Sequence, residues 1–151
     1  MEDGENQRMN ENALCPGLGD YLIVQARNNH WSNHRLHSAC LRLPALEYYA
    51  NRPSYFGSIH IHLDHIVFVD WLYLERLTGE QYLPADVGDE LHNELAPLVE
   101  DQVTADRALI EYCDAATPEI LASEVSFKLL DGTQYTEAVW TVLAHLFTHQ
   151  I

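Results

Sequence analysis

Apolar residues recur at helical intervals through most of this chain and at alternate positions in one short stretch. Leu22, Ala26, Asn29, Asn33, Leu36, Cys40 and Leu43 fall at i, i+4, i+7, i+11, i+14, i+18 and i+21, the period of one helix face. The pattern predicts a helix over 18–43, with Gly17 ahead of it and Pro44 ending it. Two members of this stripe are asparagines. A buried amide is costly unless hydrogen-bonded, so Asn29 and Asn33 either make core hydrogen bonds, the commoner case, or face a polar pocket.

A second helix is expected over 55–77, with Pro53-Ser54 before it and Gly79 just past its end. Its middle, 66–74, is apolar nearly all round, which suits a central helix with neighbours on several sides. A third stripe, Leu91, Leu95, Leu98, Gln102, Ala105, Leu109 and Tyr112, predicts a helix over 89–114, kinked at Pro97 or beginning there. The period then changes. Val125, Phe127 and Leu129 alternate with Ser126, Lys128 and Leu130, and Asp131-Gly132 follows, the pair that a two-residue type I′ turn prefers. A return strand over 133–137 leads into a last helix starting between Thr136 and Ala138, with Ala138, Val142, His145 and His149 on one stripe. The fold class is therefore mainly all-α: a four-helix bundle with a small β-hairpin before the last helix. Residues 1–16 are polar and read as a disordered arm, leaving 17–151 as one bundle domain.

Charge narrows the function. The chain has 23 acidic and 8 basic residues, a formal net charge of −15, and such a surface repels phosphate backbones, so no nucleic-acid partner is expected. The longest apolar stretch is broken by Asp70, so no membrane span is expected, and the first dozen residues carry no signal-peptide core. Three cysteines, Cys15, Cys40 and Cys113, lie far apart without a CxxC pair, which points to reduced thiols and a cytoplasmic location.

Nine histidines stand out. His60-Ile61-His62-Leu63-Asp64-His65 matches the HxHxDH string of metallo-β-lactamase-fold hydrolases. In that fold the string lies on an extended loop. Here it runs straight into a helical block, where residues two apart point about 200° away from each other. His60 and His62 could not then share an ion, and both are expected to be exposed or half-exposed. His145 and His149, four apart on one helix, can both reach one metal, and His65 from a facing helix could add a third nitrogen. A single histidine on an apolar face is more often a hydrogen-bonded core residue.

Three segments carry a family resemblance. The stretch from Ala26 through Trp31 and Asn33 to Leu36 resembles the "YNxWANxRL" opening of DinB proteins. Phe56-Gly57-Ser58-Ile59, Leu63-Asp64-His65-Ile66 and Val69-Asp70-Trp71-Leu72, closing on Arg76-Leu77-Thr78-Gly79, resemble its "FGSIxxxLNHIxxxDxxWLxRLxG" signature. Trp140 to Gln150 is similar to the start of its "HxFNHxxHHRGQ" motif, and the "HHRGQ" part is absent. The resemblance covers about 18–151. It implies the DinB/YfiT-like bundle and a divalent metal, zinc or nickel in character, held by three histidines. On this sequence the ligands are His65 and His149, with the third four residues after His149, beyond Ile151. The chain is thus expected to be truncated at the site and to hold metal weakly or not at all. His145 is expected as a neighbour of the metal or a fallback ligand. Asn29, Trp31 and Asn33 are expected to line the pocket.

Characterised relatives include thiol-dependent transferases and isomerases that use low-molecular-weight thiols. The expected function is a metal-dependent transferase, isomerase or hydrolase acting on a small-molecule substrate or such a thiol. The metal would lower the pKa of a coordinated water or thiol. The competing reading is a non-catalytic, stress-related binding protein that keeps the bundle without the chemistry. The family name reflects damage-inducible expression and does not establish DNA binding. An acidic surface with an exposed apolar helix face fits a homodimer.

Overall fold

The computed structural model describes residues 17–85, 88, 90–129 and 132–149; the expected arm at 1–16 lies outside them. Four long helices form the bundle: α1 (Leu18–Cys40), α3 (Ile59–Thr78), α4 (Leu95–Ala115) and α6 (Val139–His149). Two short helices, α2 (Ala45–Tyr48) and α5 (Pro118–Ala122), and a hairpin of β1 (Glu124–Lys128) with β2 (Gln134–Ala138) complete the described fold. Among the described residues no helix is long and apolar enough to cross a membrane.

The stripe on α1 buries Leu22, Ala26, Asn29, Asn33 and Cys40 as expected, but His37 replaces Leu36 on the inner face. A helix advances 3.6 residues per turn, so a run of 3- and 4-residue steps drifts and must be re-phased. The helix ends at Cys40, short of Pro44. The second helix begins at Ile59 and not at 55, because Ser58 caps it: its hydroxyl accepts the Ile61 backbone N–H at 3.1 Å. Gly79, at φ 74°, closes it as expected, with its N–H on the Glu75 carbonyl.

The third helix begins at Leu95, so Pro97 falls within its first turn and not at a mid-helix kink. Pro97 occupies the third position of α4, where a backbone N–H has no intrahelical acceptor to lose. Leu91 stays outside the helix and packs on the core from the preceding segment. Leu63, Val67 and Leu74 of α3 meet Leu98, Ala105 and Leu109 of α4 and Val142, Leu143 and Leu146 of α6 in one core. Each large side chain buried there contributes about 1.5–3 kcal/mol.

The hairpin forms where alternation begins. Val125 and Phe127 are the half-buried positions of β1, and the antiparallel pairs run from Glu124↔Ala138 to Lys128↔Gln134. The connection differs from the expected type I′ turn. Leu129 accepts from Gly132 and donates to Thr133, both at 2.9 Å, so three positions are enclosed, with Gly132 at φ 84°. That is the arrangement of a three-residue hairpin loop ending in a left-handed glycine; Leu130 and Asp131 lie outside the described residues. Arg76 ties the hairpin to α3, its guanidinium lying 4.6 Å from the Tyr73 ring centre and 4.6 Å from that of Phe127.

Candidate functional site

Because Ser58 starts α3, the HxHxDH string is helical and its members diverge. His60 and Asp64, one turn apart, face inward. The expectation that His60 is exposed is corrected: it is only 3% exposed. Its Nε2 lies 2.9 Å from the His92 carbonyl and 3.2 Å from a Glu90 carboxylate oxygen, so Nε2 carries the proton. Nδ1 then accepts the Tyr48 hydroxyl at 3.1 Å. Tyr48 comes from α2, an element the helical pattern did not predict, and it is the partner that makes burial of His60 affordable.

Asp64 is an anchor. Its carboxylate accepts the Leu91 N–H at 2.7 Å, the His92 N–H at 2.8 Å and His92 Nδ1 at 3.1 Å. The other nitrogen of His92 lies 3.1 Å from Asp101. The segment before α4 is thereby pinned to α3. His62, half-buried as expected, has Nδ1 3.3 Å from the Ser58 carbonyl.

His65 points elsewhere. Its ring lies 4.4 Å from the centre of Phe56 and 5.7 Å from that of His149. The structure therefore brings His65 and His149 together across α3 and α6, and neither ring has a hydrogen-bond partner among the described residues. Burial lowers the His65 pKa first, and the nearby His149 and His62 lower it further, against an opposing contribution from Asp64. The neutral imidazole, the form that binds metals, is favoured. His65 also borders a cavity of about 190 Å³ with Phe56, Ile61, Asp64, Phe68 and Leu91.

His145 is not on an inner stripe. The buried face of α6 is Val139, Val142, Leu143, Leu146 and Phe147, which places both His145 and His149 toward solvent. The stripe starting at Ala138 missed this by roughly one residue, because Ala138 belongs to β2 and does not set the helix phase. His145 Nδ1 pairs with the Tyr73 hydroxyl at 3.1 Å. Tyr73 lies eight residues beyond His65, about 12 Å along α3, so His145 is paired away from the His65–His149 couple.

The asparagines of α1 do two things at once. Asn29 and Asn33 are 9% and 6% exposed, and their amide nitrogens donate to Asp106 Oδ1 at 3.3 and 2.9 Å. Gln102 Nε2 donates to the same oxygen at 3.1 Å and to Asp70 at 2.6 Å. His30 Nδ1 sits 3.1 Å from Asp106 Oδ2. Asn29 and Asn33 also line a cavity of about 420 Å³ with Gln25, Asn28, Ser32, Leu36, Ile66 and Phe147. Trp31 does not join them. Two residues along from Asn29, it is turned to solvent, 56% exposed, with Arg35 4.7 Å over its ring.

Burial raises the Asp70 pKa to about 8, with the Asp106 charge adding to the rise and the Gln102 hydrogen bond opposing it. Asp106 is also raised by burial, against its bonds from Asn33, His30 and Gln102. Asp70 and Asp106 were not singled out as functional positions in the sequence. The signal was present in Gln102, a polar residue on an apolar stripe like the two asparagines. Cys40 and Cys113 are buried and their thiols are pushed up in pKa, Cys113 to about 12, so neither supplies a thiolate nucleophile.

The sequence matches no curated protein. The family model of the DinB family matches residues 9–151, nearly the whole sequence and all three segments described above. The chain belongs to the DinB family.

Proposed function

We propose that His65 and His149 are two of the histidine ligands of a divalent metal of zinc or nickel character, held at most weakly by these two alone, and that the protein works as a metal-dependent enzyme. The reaction class is a thiol-dependent transfer or isomerisation, or a hydrolysis, on a small molecule or low-molecular-weight thiol. The observation that carries this reading is the His65–His149 pair, with ring centres 5.7 Å apart. Two imidazole nitrogens each about 2.1 Å from a shared ion put their ring centres roughly 4.6–5.3 Å apart at angles of about 90–109°, so the observed spacing lies within a few tenths of an ångström of a shared site and the donor chemistry fits. Among the described residues no group of three His, Cys, Asp or Glu side chains completes the set. The third donor is proposed four residues after His149.

A bound divalent metal would supply a Lewis acid that lowers the pKa of a coordinated water or thiol. The protein's own contribution is to hold the two rings. Phe56 packs against His65, and burial, which lowers its pKa, favours the neutral imidazole. Asn29 and Asn33 line the separate cavity of about 420 Å³ that would take a small substrate. A cytoplasmic location suits the free thiols, and Leu18, Tyr21 and Val24, exposed along α1, form an apolar face for a homodimer.

The test is a competition titration with zinc, using this chain and one extended by a turn carrying a histidine four residues after His149. Tight one-to-one binding by the extended chain, lost in His65→Ala and His149→Ala, is expected. Equal affinity of the two chains would reject the third-ligand placement. No zinc binding by either would leave the non-catalytic binding protein as the better reading.

A further inference from the structure

We propose that Arg76, at the junction of α3, β1 and α6, binds a small oxyanion, a carboxylate or phosphate group, through the edge of its guanidinium. Arg76 comes eleven residues after His65, about 16 Å along α3, so the site lies apart from the histidine pair and does not depend on a metal.

The inference begins with a cation that lacks a counter-charge. Every described arginine except Arg76 is exposed. Those that pair with acids do so at the surface, Arg27 with Asp114 at 3.1 Å and Arg52 with Glu47 at 3.0 Å. Arg76 is half-buried and has no ion pair among the described residues. Its Nε is buried there without a hydrogen-bond partner. Taking an arginine out of water without a counter-charge is costly. The chain has 23 acids for 8 bases, so the missing partner does not follow from a shortage of carboxylates.

The rings around Arg76 do not meet that need. Tyr73 and Phe127 each have their ring centre 4.6 Å from the guanidinium carbon. Such packing covers faces, whereas the five N–H groups lie in the plane, at the edge. Burial raises the Tyr73 pKa, and the charge and hydrogen bond of Arg76 oppose the rise, but one phenol oxygen leaves most of the fork unused. Only Nε is sealed from solvent without a partner, so the terminal nitrogens form the accessible edge. His145 extends the site: its Nδ1 is 3.1 Å from the Tyr73 hydroxyl, and its ring is exposed, with Nε2 unbonded among the described residues. Glu137 is close enough for its charge to act on Tyr73, yet it forms no ion pair with Arg76. A guanidinium held between rings matches the paired oxygens of a carboxylate or phosphate. A neutral or cationic group would leave the charge unpaired.

The probes are inorganic phosphate, acetate and chloride at matched ionic strength. They are titrated into protein stripped of metal and dialysed free of chelator, and followed by ¹H–¹⁵N spectra. Phosphate or acetate is expected to saturate, at least ten-fold more tightly than chloride, and to shift the Arg76 Nε–H and Phe127 backbone signals. The tighter of the two identifies the head group. A chain of charge −15 repels anions from most of its surface, so saturation centred on Arg76 is distinct from general adsorption. Arg76→Lys keeps the charge but loses the fork, and is expected to weaken binding at least ten-fold. His145→Ala, at an exposed position, is expected to weaken it about three-fold with the thermal midpoint unchanged. Shifts that grow without saturating, an equal response to chloride, shifts centred on other residues, or full affinity in either variant would overturn the proposal. Because no metal is present, failure here leaves the zinc titration to stand or fall separately.

Discussion

Two polar regions of this bundle contrast in how their hydrogen-bonding capacity is used. Around Asp106, donors from α1 and α4 converge on one carboxylate, and Gln102 links it to Asp70 of α3. At the far end of α6, His65 and His149 face each other with no hydrogen-bond partner among the described residues. The first region holds helices together. The second makes no such hydrogen-bonded link between helices among the described residues. A buried polar cluster that is bonded internally fixes architecture; a ring pair with His149 at the surface does not.

The sharpest way to break this contrast is Asp106→Ala. It strands the amide donors of Asn29 and Asn33 and leaves Gln102 with Asp70 alone, and a loss of about 3–5 kcal/mol in urea unfolding is expected. His149→Ala, by comparison, should stay within about 0.5 kcal/mol in metal-free protein. Similar costs for the two would erase the distinction.

Asp64→Ala comes next. It removes the acceptor for two backbone N–H groups and His92. A loss of about 2–3 kcal/mol is expected, with hydrogen exchange at Leu91 and His92 accelerated more than in α3. Unchanged exchange there would show that the segment is held by other contacts.

The pH dependence sharpens the comparison further. Asp70 is raised from 3.8 to about 8 in the folded protein. A folded-state pKa above the unfolded one gives stability that is full below the unfolded value and is lost as pH rises through the folded value. His37 and His65 have lowered values, so their contributions run the opposite way, full above 6.5 and lost below. The Asp70 effect is therefore cleanest between pH 6.5 and 8, where stability should fall by at most about 1.4 kcal/mol per pH unit. Asp70→Asn should flatten that fall; an equally steep decline in the variant would assign it to another group.

The smallest effect is expected at Trp31→Ala. The residue lies on the solvent face of α1, so the change in stability should be about 1 kcal/mol or less, the worth of its exposed contact with Arg35. Ligand binding in the α1 cavity should be unaffected. A large loss of binding would return Trp31 to the pocket.

The bundle and the hairpin were legible because periodicity directly records which face is buried. The His65–His149 pair was legible through the family motifs and through helical spacing. What escaped was the phase of α6, because the start at Ala138 fell one element too early, and the burial of His60, because its partners Tyr48 and His92 sit on α2 and the segment before α4, which no periodic pattern marks. The asparagines of α1 showed that a polar group was needed opposite them, but not which one. Asp106 is separated from Asn29 by 77 positions, and only the packing of α1 on α4 joins them.

That convergence also determines how the helices may slide. Apolar side chains of similar size tolerate displacement of one helix along another, since each new contact resembles the old. A carboxylate does not. Moving α1 by a single turn relative to α4 would bring one asparagine near the other's place and carry the second about 5.4 Å away, so Asp106 would keep at most one of its two amide bonds from α1. One side chain thus makes every other axial alignment of these helices unfavourable, and the open ends of the bundle inherit their placement from it.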